Sequence, residues 1–256
     1  MISKNVFLVD ELPYESLSKI GFSKSDFLNF PRPLIDSLIS GGVTPLLMAS
    51  VKNNQGEYLD IPLKLQLIRN KEGKPQVIVY PVRKDILNDQ NFSKAELEKL
   101  TLGDVVRKDL REGETRTLRY FQLDNETKSI IKKDASQLHL SDRIKQVEKL
   151  GNIELGLNQK KALFEGKPIE IQVGDNKVTV GVDLKQPTGF RNLQGDIEAW
   201  KEQQAAEYDR LTPGFMGYVK TDANRWEYQQ VVNNLQHQSL KETSKESKVN
   251  TQKLGV

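Results

Sequence analysis

The feature that most constrains this chain is a helix start written twice and a helix stop written three times. In Phe22-Ser23-Lys24-Ser25-Asp26-Phe27, Ser23 can accept from the amide three residues on. Asp26 can reach back to the Ser23 amide, and Phe22 can staple onto Phe27. Phe92-Ser93-Lys94-Ala95-Glu96-Leu97 repeats the pattern, with Ser93 as cap, Glu96 closing the box and Phe92 set toward Leu97. The stops are Leu38 before Gly41-Gly42, Leu100 before Gly103 and Leu163 before Gly166. They recur every ~60 residues, as repeated architecture would. Glycine just past a helix takes the left-handed conformation that ends it.

After each stop the pattern turns β-like. Pro45 to Val51 runs to a turn at Asn53-Asn54-Gln55-Gly56 and returns through Ile61 to Leu67; Val77 to Tyr80 follows the turn Asn70-Lys71-Glu72-Gly73. Thr115 to Leu123 turns at Asp124-Asn125-Glu126-Thr127 and returns through Ser129-Ile130-Ile131. The third unit alternates most cleanly: Ile169, Ile171 and Val173, the turn Gly174-Asp175-Asn176, then Val178, Val180 and Val182. A lone hairpin is marginal in water, so the segment Asn158 to Glu165, with Ala162, Leu163 and Phe164, is expected to cover it. A helix from Pro13 to Ile20 before the Ser23 helix, and one from Ser141 to Leu150 before the Asn158 helix, would make a helix pair ahead of the first and third sheets. The class is α+β: repeated short helices and antiparallel β-hairpins, with a helical C-terminal portion.

In that C-terminal portion, Ile197, Trp200, Gln204, Tyr208 and Leu211 share a helical face, and Thr212-Pro213-Gly214 breaks the run. Asp222 is positioned to cap a further helix bearing Trp226, Tyr228, Val231, Val232 and Leu235. The expected organisation is an N-terminal module over 10–85, helix-hairpin repeats ending in helices over 90–235, and a polar, disordered tail over 237–256.

Composition narrows the chemistry. Hydrophobic residues are 37% and charged residues 29% of 256, and 38 basic against 35 acidic residues leave a net charge of +3. There is no global basic field of the kind that drives nucleic-acid binding, though a local face can still be basic. No cysteine is present, which removes disulfides, thiolate nucleophiles and most structural zinc sites. The N-terminus has no long apolar core, and no run approaches the ~20 residues of a membrane helix, so a cytoplasmic protein without membrane contact is expected. The two histidines, His139 and His237, lie far apart, so a metal site or a Ser-His-Asp triad would rest on His139 alone. Gly151-Asn152-Ile153-Glu154-Leu155-Gly156 is followed by Leu157-Asn158 and lacks the lysine and hydroxyl of a phosphate loop. No cofactor, metal or catalytic residue is therefore expected. Asp124 and Glu126 sit in a turn, where such residues serve the backbone; a hydrolase built on two carboxylates would need acids converging from elsewhere.

Two stretches are candidates for binding. In Arg116-Thr117-Leu118-Arg119-Tyr120-Phe121, a strand would place Arg116, Leu118 and Tyr120 on one face and Thr117, Arg119 and Phe121 on the other. Arginine beside an aromatic can hold a phosphate and stack a base, so Arg116, Arg119, Tyr120 and Phe121 are the nucleic-acid candidates. The same pattern also suits a core strand whose arginines reach the edge. Phe215, Met216, Tyr218 and Trp226, flanked by glycine, are candidates for a protein-docking patch or for the core of a small subdomain.

Leu12-Pro13-Tyr14-Glu15-Ser16-Leu17, Ile20-Gly21-Phe22-Ser23 and Thr44-Pro45-Leu46-Leu47 resemble the family called domain of unknown function 4099. Leu157-Asn158-Gln159 and Phe164-Glu165-Gly166-Lys167-Pro168 resemble its companion, domain of unknown function 3945. These families are associated with Bacteroides-type bacteria and their mobile, conjugative elements, and have no established activity. The resemblance implies a bacterial cytoplasmic setting and a role near DNA transfer or maintenance. The leading expectation is a non-enzymatic binding or scaffold protein with protein partners; a nucleic-acid-binding accessory protein is the alternative.

Overall fold

A computed structural model describes residues 6–70, 72–112, 115–208, 216–221 and 225–231. The first unit opens with three short helices, α1 (Tyr14–Ser18), α2 (Lys24–Leu28) and α3 (Arg32–Ile39). Ser23 caps α2 as its sequence implies: the Asp26 N–H donates to Ser23 Oγ at 3.3 Å, and the Ser23 N–H donates to Asp26 Oδ2 at 2.7 Å. Strands β1 (Leu47–Lys52), β2 (Tyr58–Arg69) and β3 (Pro75–Pro81) follow as an antiparallel meander, with Leu47 opposite Leu63 and Leu65 opposite Val79. Leu63, Leu65 and Leu67 project to one face and pack with Leu17, Phe22, Leu34 and Leu38 of the helices. Alternation sends Lys64 and Gln66 to the opposite face, where they are buried as well.

The second unit repeats the design. Helix α4 (Lys94–Thr101) has the same box, with the Glu96 N–H donating to Ser93 Oγ at 3.3 Å. Strands β4 (Val106–Glu112), β5 (Thr115–Asp124) and β6 (Ser129–Asp134) form its sheet. Phe121 and Leu123 face α4, and the Phe92 and Phe121 rings meet edge-on at 5.1 Å. The third unit has α5 (Ala135–Leu138), α6 (Leu140–Gly151) and α7 (Leu157–Phe164), then β7 (Ile169–Val173), β8 (Asn176–Val182) and β9 (Phe190–Gln194). Gly41, Gly103 and Gly166, at the three stops, all have positive φ (76°, 87° and 80°). Units two and three are each a three-stranded meander where the sequence suggests a hairpin. The extra strands, β4 and β9, lie at sheet edges and alternate weakly in apolarity, because Lys108 stands between Val106 and Leu110 on the covered side of β4, and Asn192 shares a face with Phe190 on β9.

One continuous core joins the units. Tyr80 of the first unit, Tyr120 and Ile131 of the second, and Leu163, Ile171, Val180 and Leu184 of the third belong to it. The β8–β9 connection is its keystone. The Val43 N–H donates to the Lys185 carbonyl at 3.0 Å, which fixes unit one to unit three. The Leu184 N–H donates to Gln122 Oε1 at 2.7 Å, and Lys133 Nζ donates to the Gln186 carbonyl at 3.3 Å, which fix unit two.

The C-terminal portion departs from the expectation. Helix α8 (Ile197–Tyr208) is present, with Trp200 buried, and Leu211 lies outside the described residues. The expected helix through Trp226 and Tyr228 is instead part of a hairpin, β10 (Met216–Lys220) and β11 (Trp226–Gln230). Trp226 and Tyr228 are two residues apart, the period of a strand, and both fall opposite β10 residues on one face. The hairpin extends the first sheet to five strands in the order β11-β10-β1-β2-β3. The expected polar tail, 237–256, lies outside the described residues, as does His237. No helix among the described residues is long and apolar enough to cross a membrane.

Candidate functional site

The strand carrying the nucleic-acid candidates is β5, the middle strand of the second sheet, covered on both faces over its C-terminal half. Tyr120 has no exposed surface, and its hydroxyl donates to the Phe164 carbonyl at 2.6 Å. Burial pushes its phenol pKa up. Phe121 is equally buried on the other face, against Phe92. Neither ring can stack a base without opening a core. Arg119 is mostly covered, and its Nε donates to Asp134 Oδ1 at 2.6 Å. Arg116 is 71% exposed and lies 3.8 Å from Asp109 across the ladder.

Where β5 leaves the core, its Leu118 face opens into a groove of about 400 Å³. Leu118 and Phe164 line it, and α5 and the start of α6 wall it through Ala135, His139 and Leu140. His139 makes the corner between those helices in a left-handed conformation, φ 46°. The strand register sets charges of both signs beside Leu118: Asp109 stands directly opposite it, Arg111 opposite Arg116 and Arg107 opposite Tyr120, while Asp142 lines the groove itself. Arg107 is anchored there, its Nη1 donating to the Phe164 carbonyl at 3.2 Å. Of the four candidates on this strand, Arg116 stands exposed near the groove, whereas Leu118, which lines it, shares a face with Arg116 and is not among them. The sequence reading missed the α5–α6 wall, which is brought there from twenty residues downstream by the chain fold rather than by any local pattern.

The second candidate patch is already docked, on the chain's own N-terminal unit. Trp226 packs with its ring centroid 5.0 Å from Phe30 and 6.2 Å from Phe22. Tyr218 sits across from Tyr228 at 5.0 Å, and Met216 is 43% exposed at the end of β10. Phe215 lies outside the described residues. Lys220 pairs with Asp26, the same carboxylate that closes the α2 capping box.

Asp124 and Glu126, the acid pair of the β5–β6 turn, do converge, but on Lys64 of the first unit. Lys64 Nζ is 2.6 Å from Asp124 Oδ1 and also pairs with Glu126. Thr127 completes the arrangement, its hydroxyl donating to Asp124 Oδ2 at 2.7 Å. Burial pushes the Asp124 carboxyl up, but Lys64 and the Thr127 hydrogen bonds hold it below the ordinary aspartate range. This is a junction between units, in which one ammonium is shared by two carboxylates. Among the described residues, no three His, Cys, Asp or Glu side chains gather as metal ligands would.

These features define a multi-unit α+β protein with a partly basic groove and an internally docked hairpin. Residues 7–91 match the family described as Protein of unknown function (DUF4099), a span that runs from the first helices through β3 to the approach of α4. No curated protein and no solved structure matches the chain.

Proposed function

We propose that this chain is a non-enzymatic binding or scaffold protein that works through protein contacts in the cytoplasm of a bacterium, as an accessory to a mobile or conjugative element. The observation that carries the binding reading is the groove beside β5. Its floor is apolar, at Leu118 and Phe164, and the strand ladder beside it carries Arg107, Arg111 and Arg116 against Asp109 on the same face and Asp142 in the groove wall, which leaves the cations in excess. That combination suits a short acidic segment with an aliphatic anchor: the anchor fills the groove, and its carboxylates meet the arginines. The mobile-element setting is supported by the resemblance of 157–168 to the companion family of unknown function 3945, alongside the family matched over 7–91.

The test is affinity capture from a host carrying such an element, comparing the wild-type chain with the Arg111→Glu, Arg116→Glu double variant. The reading expects a host protein with an acidic, aliphatic segment to be retained by the wild type, released as salt rises, and lost on charge reversal while the fold persists by circular dichroism. A partner retained equally by both chains overturns the groove assignment. Fluorescence anisotropy with labelled DNA and RNA tests the alternative, in which Arg111 and Arg116 hold phosphates without a stacking ring. Micromolar affinity with a steep salt slope would favour it.

A further inference from the structure

We infer that the β10–β11 hairpin is an exchangeable element that docks on a second copy of this chain, each copy's hairpin seating on the other's N-terminal unit. This stands apart from the groove beside β5 and does not rest on it. The seat belongs wholly to the first unit: the edge of β1, the Phe22 and Phe30 rings, and Asp26. The occupant comes from the far end of the chain, beyond α8 and residues 209–215.

The hairpin's most extensive pairing is its own ladder. Five residue pairs hold β10 to β11, from Met216 with Gln230 to Lys220 with Trp226. Its backbone tie to the body is slight by comparison: one parallel pair, Leu47 with Tyr218, and the Tyr218 N–H donating to the Leu46 carbonyl at 2.8 Å. Discrete side chains supply the remaining attachment. Trp226 enters between aromatic rings, Lys220 meets Asp26, and Val231 is buried against Leu46 and Met48. Gly217 allows this close approach, since a Cβ there would stand 2.9 Å from the Leu46 carbonyl oxygen and 2.8 Å from Val231 Cγ2. The dock also carries a cost: the Trp226 indole N–H is buried and has no hydrogen-bond partner among the described residues.

A unit joined to its seat by a few plugs can leave one seat and regain the same contacts on an identical one. The occupant that best replaces it is another copy of itself, because every copy carries both seat and hairpin and the exchanged contacts are identical. Reciprocal exchange closes with two-fold symmetry, so it ends at a dimer and leaves no seat open.

The experiment mixes ¹⁵N-labelled and unlabelled full-length chains at increasing concentration. Light scattering reads the mass, and a carbodiimide joins Lys220 to Asp26 for mass spectrometry. Exchange predicts a concentration-dependent dimer in which Asp26–Lys220 cross-links between unlike isotopes become as frequent as those between like isotopes. Trp226→Ala should abolish both the dimer and the mixed cross-links while circular dichroism stays native. A monomer at every concentration with like-isotope cross-links alone overturns the proposal. So does a dimer with like-isotope cross-links alone, because its copies would then meet through another face.

Discussion

Lys64 and Lys133 are both buried, and both stand where one unit meets the next, yet their surroundings treat the ammonium in opposite ways. Lys64, between units one and two, has Asp124 at 2.6 Å and Glu126 beside it. Burial disfavours its charge, but the two carboxylates outweigh that and raise its pKa above the ordinary lysine value. Lys133, between units two and three, donates to a carbonyl at 3.3 Å. Burial pulls its pKa down to about 8; Asp183 opposes that shift and Arg143 adds to it. The first junction has paired its buried ammonium with a buried carboxylate and a partly exposed one. The second carries a charge it has not fully compensated, so the keystone loop is held there against a desolvation cost.

The sharpest break of this comparison is Lys64→Met. It removes the cation and leaves Asp124 buried and unpaired, a loss of about 3–5 kcal/mol. Urea denaturation at pH 7 should show a large fall in midpoint. The sign with pH follows from the shifts. Asp124's folded pKa is depressed, so its contribution is present above the unfolded value and is lost as pH falls through the folded one. Lys64's is raised, so its contribution persists below the ordinary lysine range and is lost only as pH rises through the higher folded value. A Lys64→Met chain as stable as the wild type at pH 7 would mean that the junction is held by its apolar contacts alone.

The sequence showed one half of the first junction. Asp124 and Glu126 stand out as an acid pair, but their position in a turn gives a sufficient local reason for them, and nothing local points to a lysine sixty residues earlier. Lys64 itself sits in the alternation Leu63-Lys64-Leu65-Gln66-Leu67, which reads as a strand with a solvated polar face. The second unit covers that face, and only tertiary structure says so. Helix starts and stops are local, and there the reading succeeds: Ser23 and Ser93 cap as written, and Gly41, Gly103 and Gly166 take positive φ at the three stops. Edge strands are where it fails, because Lys108 interrupts Val106 and Leu110 on the covered side of β4 and breaks the apolar alternation. The candidate site divides the same way. Arg116 is legible as an outward arginine, whereas the burial of Tyr120 and Phe121 depends on layers that close from both sides.

Lys133→Met should move stability the other way. Below its folded pKa of about 8, wild-type Lys133 is charged in both states and the folded chain carries the full desolvation cost. Between that value and the ordinary lysine range, the unfolded chain keeps the proton and the folded chain has released it. Stability therefore rises with pH through this window. At pH 7 the methionine variant should be more stable by up to about 3 kcal/mol, less whatever the Gln186 hydrogen bond contributes. The gap between variant and wild type should then narrow from pH 8 to pH 10. Thermal melts of both chains across that range check it, and a gap constant with pH would show that Lys133 does not lose its proton in the folded protein.

The smallest effect sharpens the account of the first junction. Glu126 also pairs with Lys64, but its side chain is 44% exposed against 3% for Asp124. Water already screens it, so Glu126→Gln should cost less than about 1 kcal/mol. The variant keeps the shape of the turn and leaves the buried Lys64–Asp124 contact intact, so the measured change isolates the second carboxylate. A loss approaching that of Lys64→Met would mean that one carboxylate does not suffice to hold a buried ammonium here. The contrast between the two lysines would then lie in the number of anions around each. A small loss locates it in the closeness and burial of a single partner, which Lys64 has in Asp124 and Lys133 lacks.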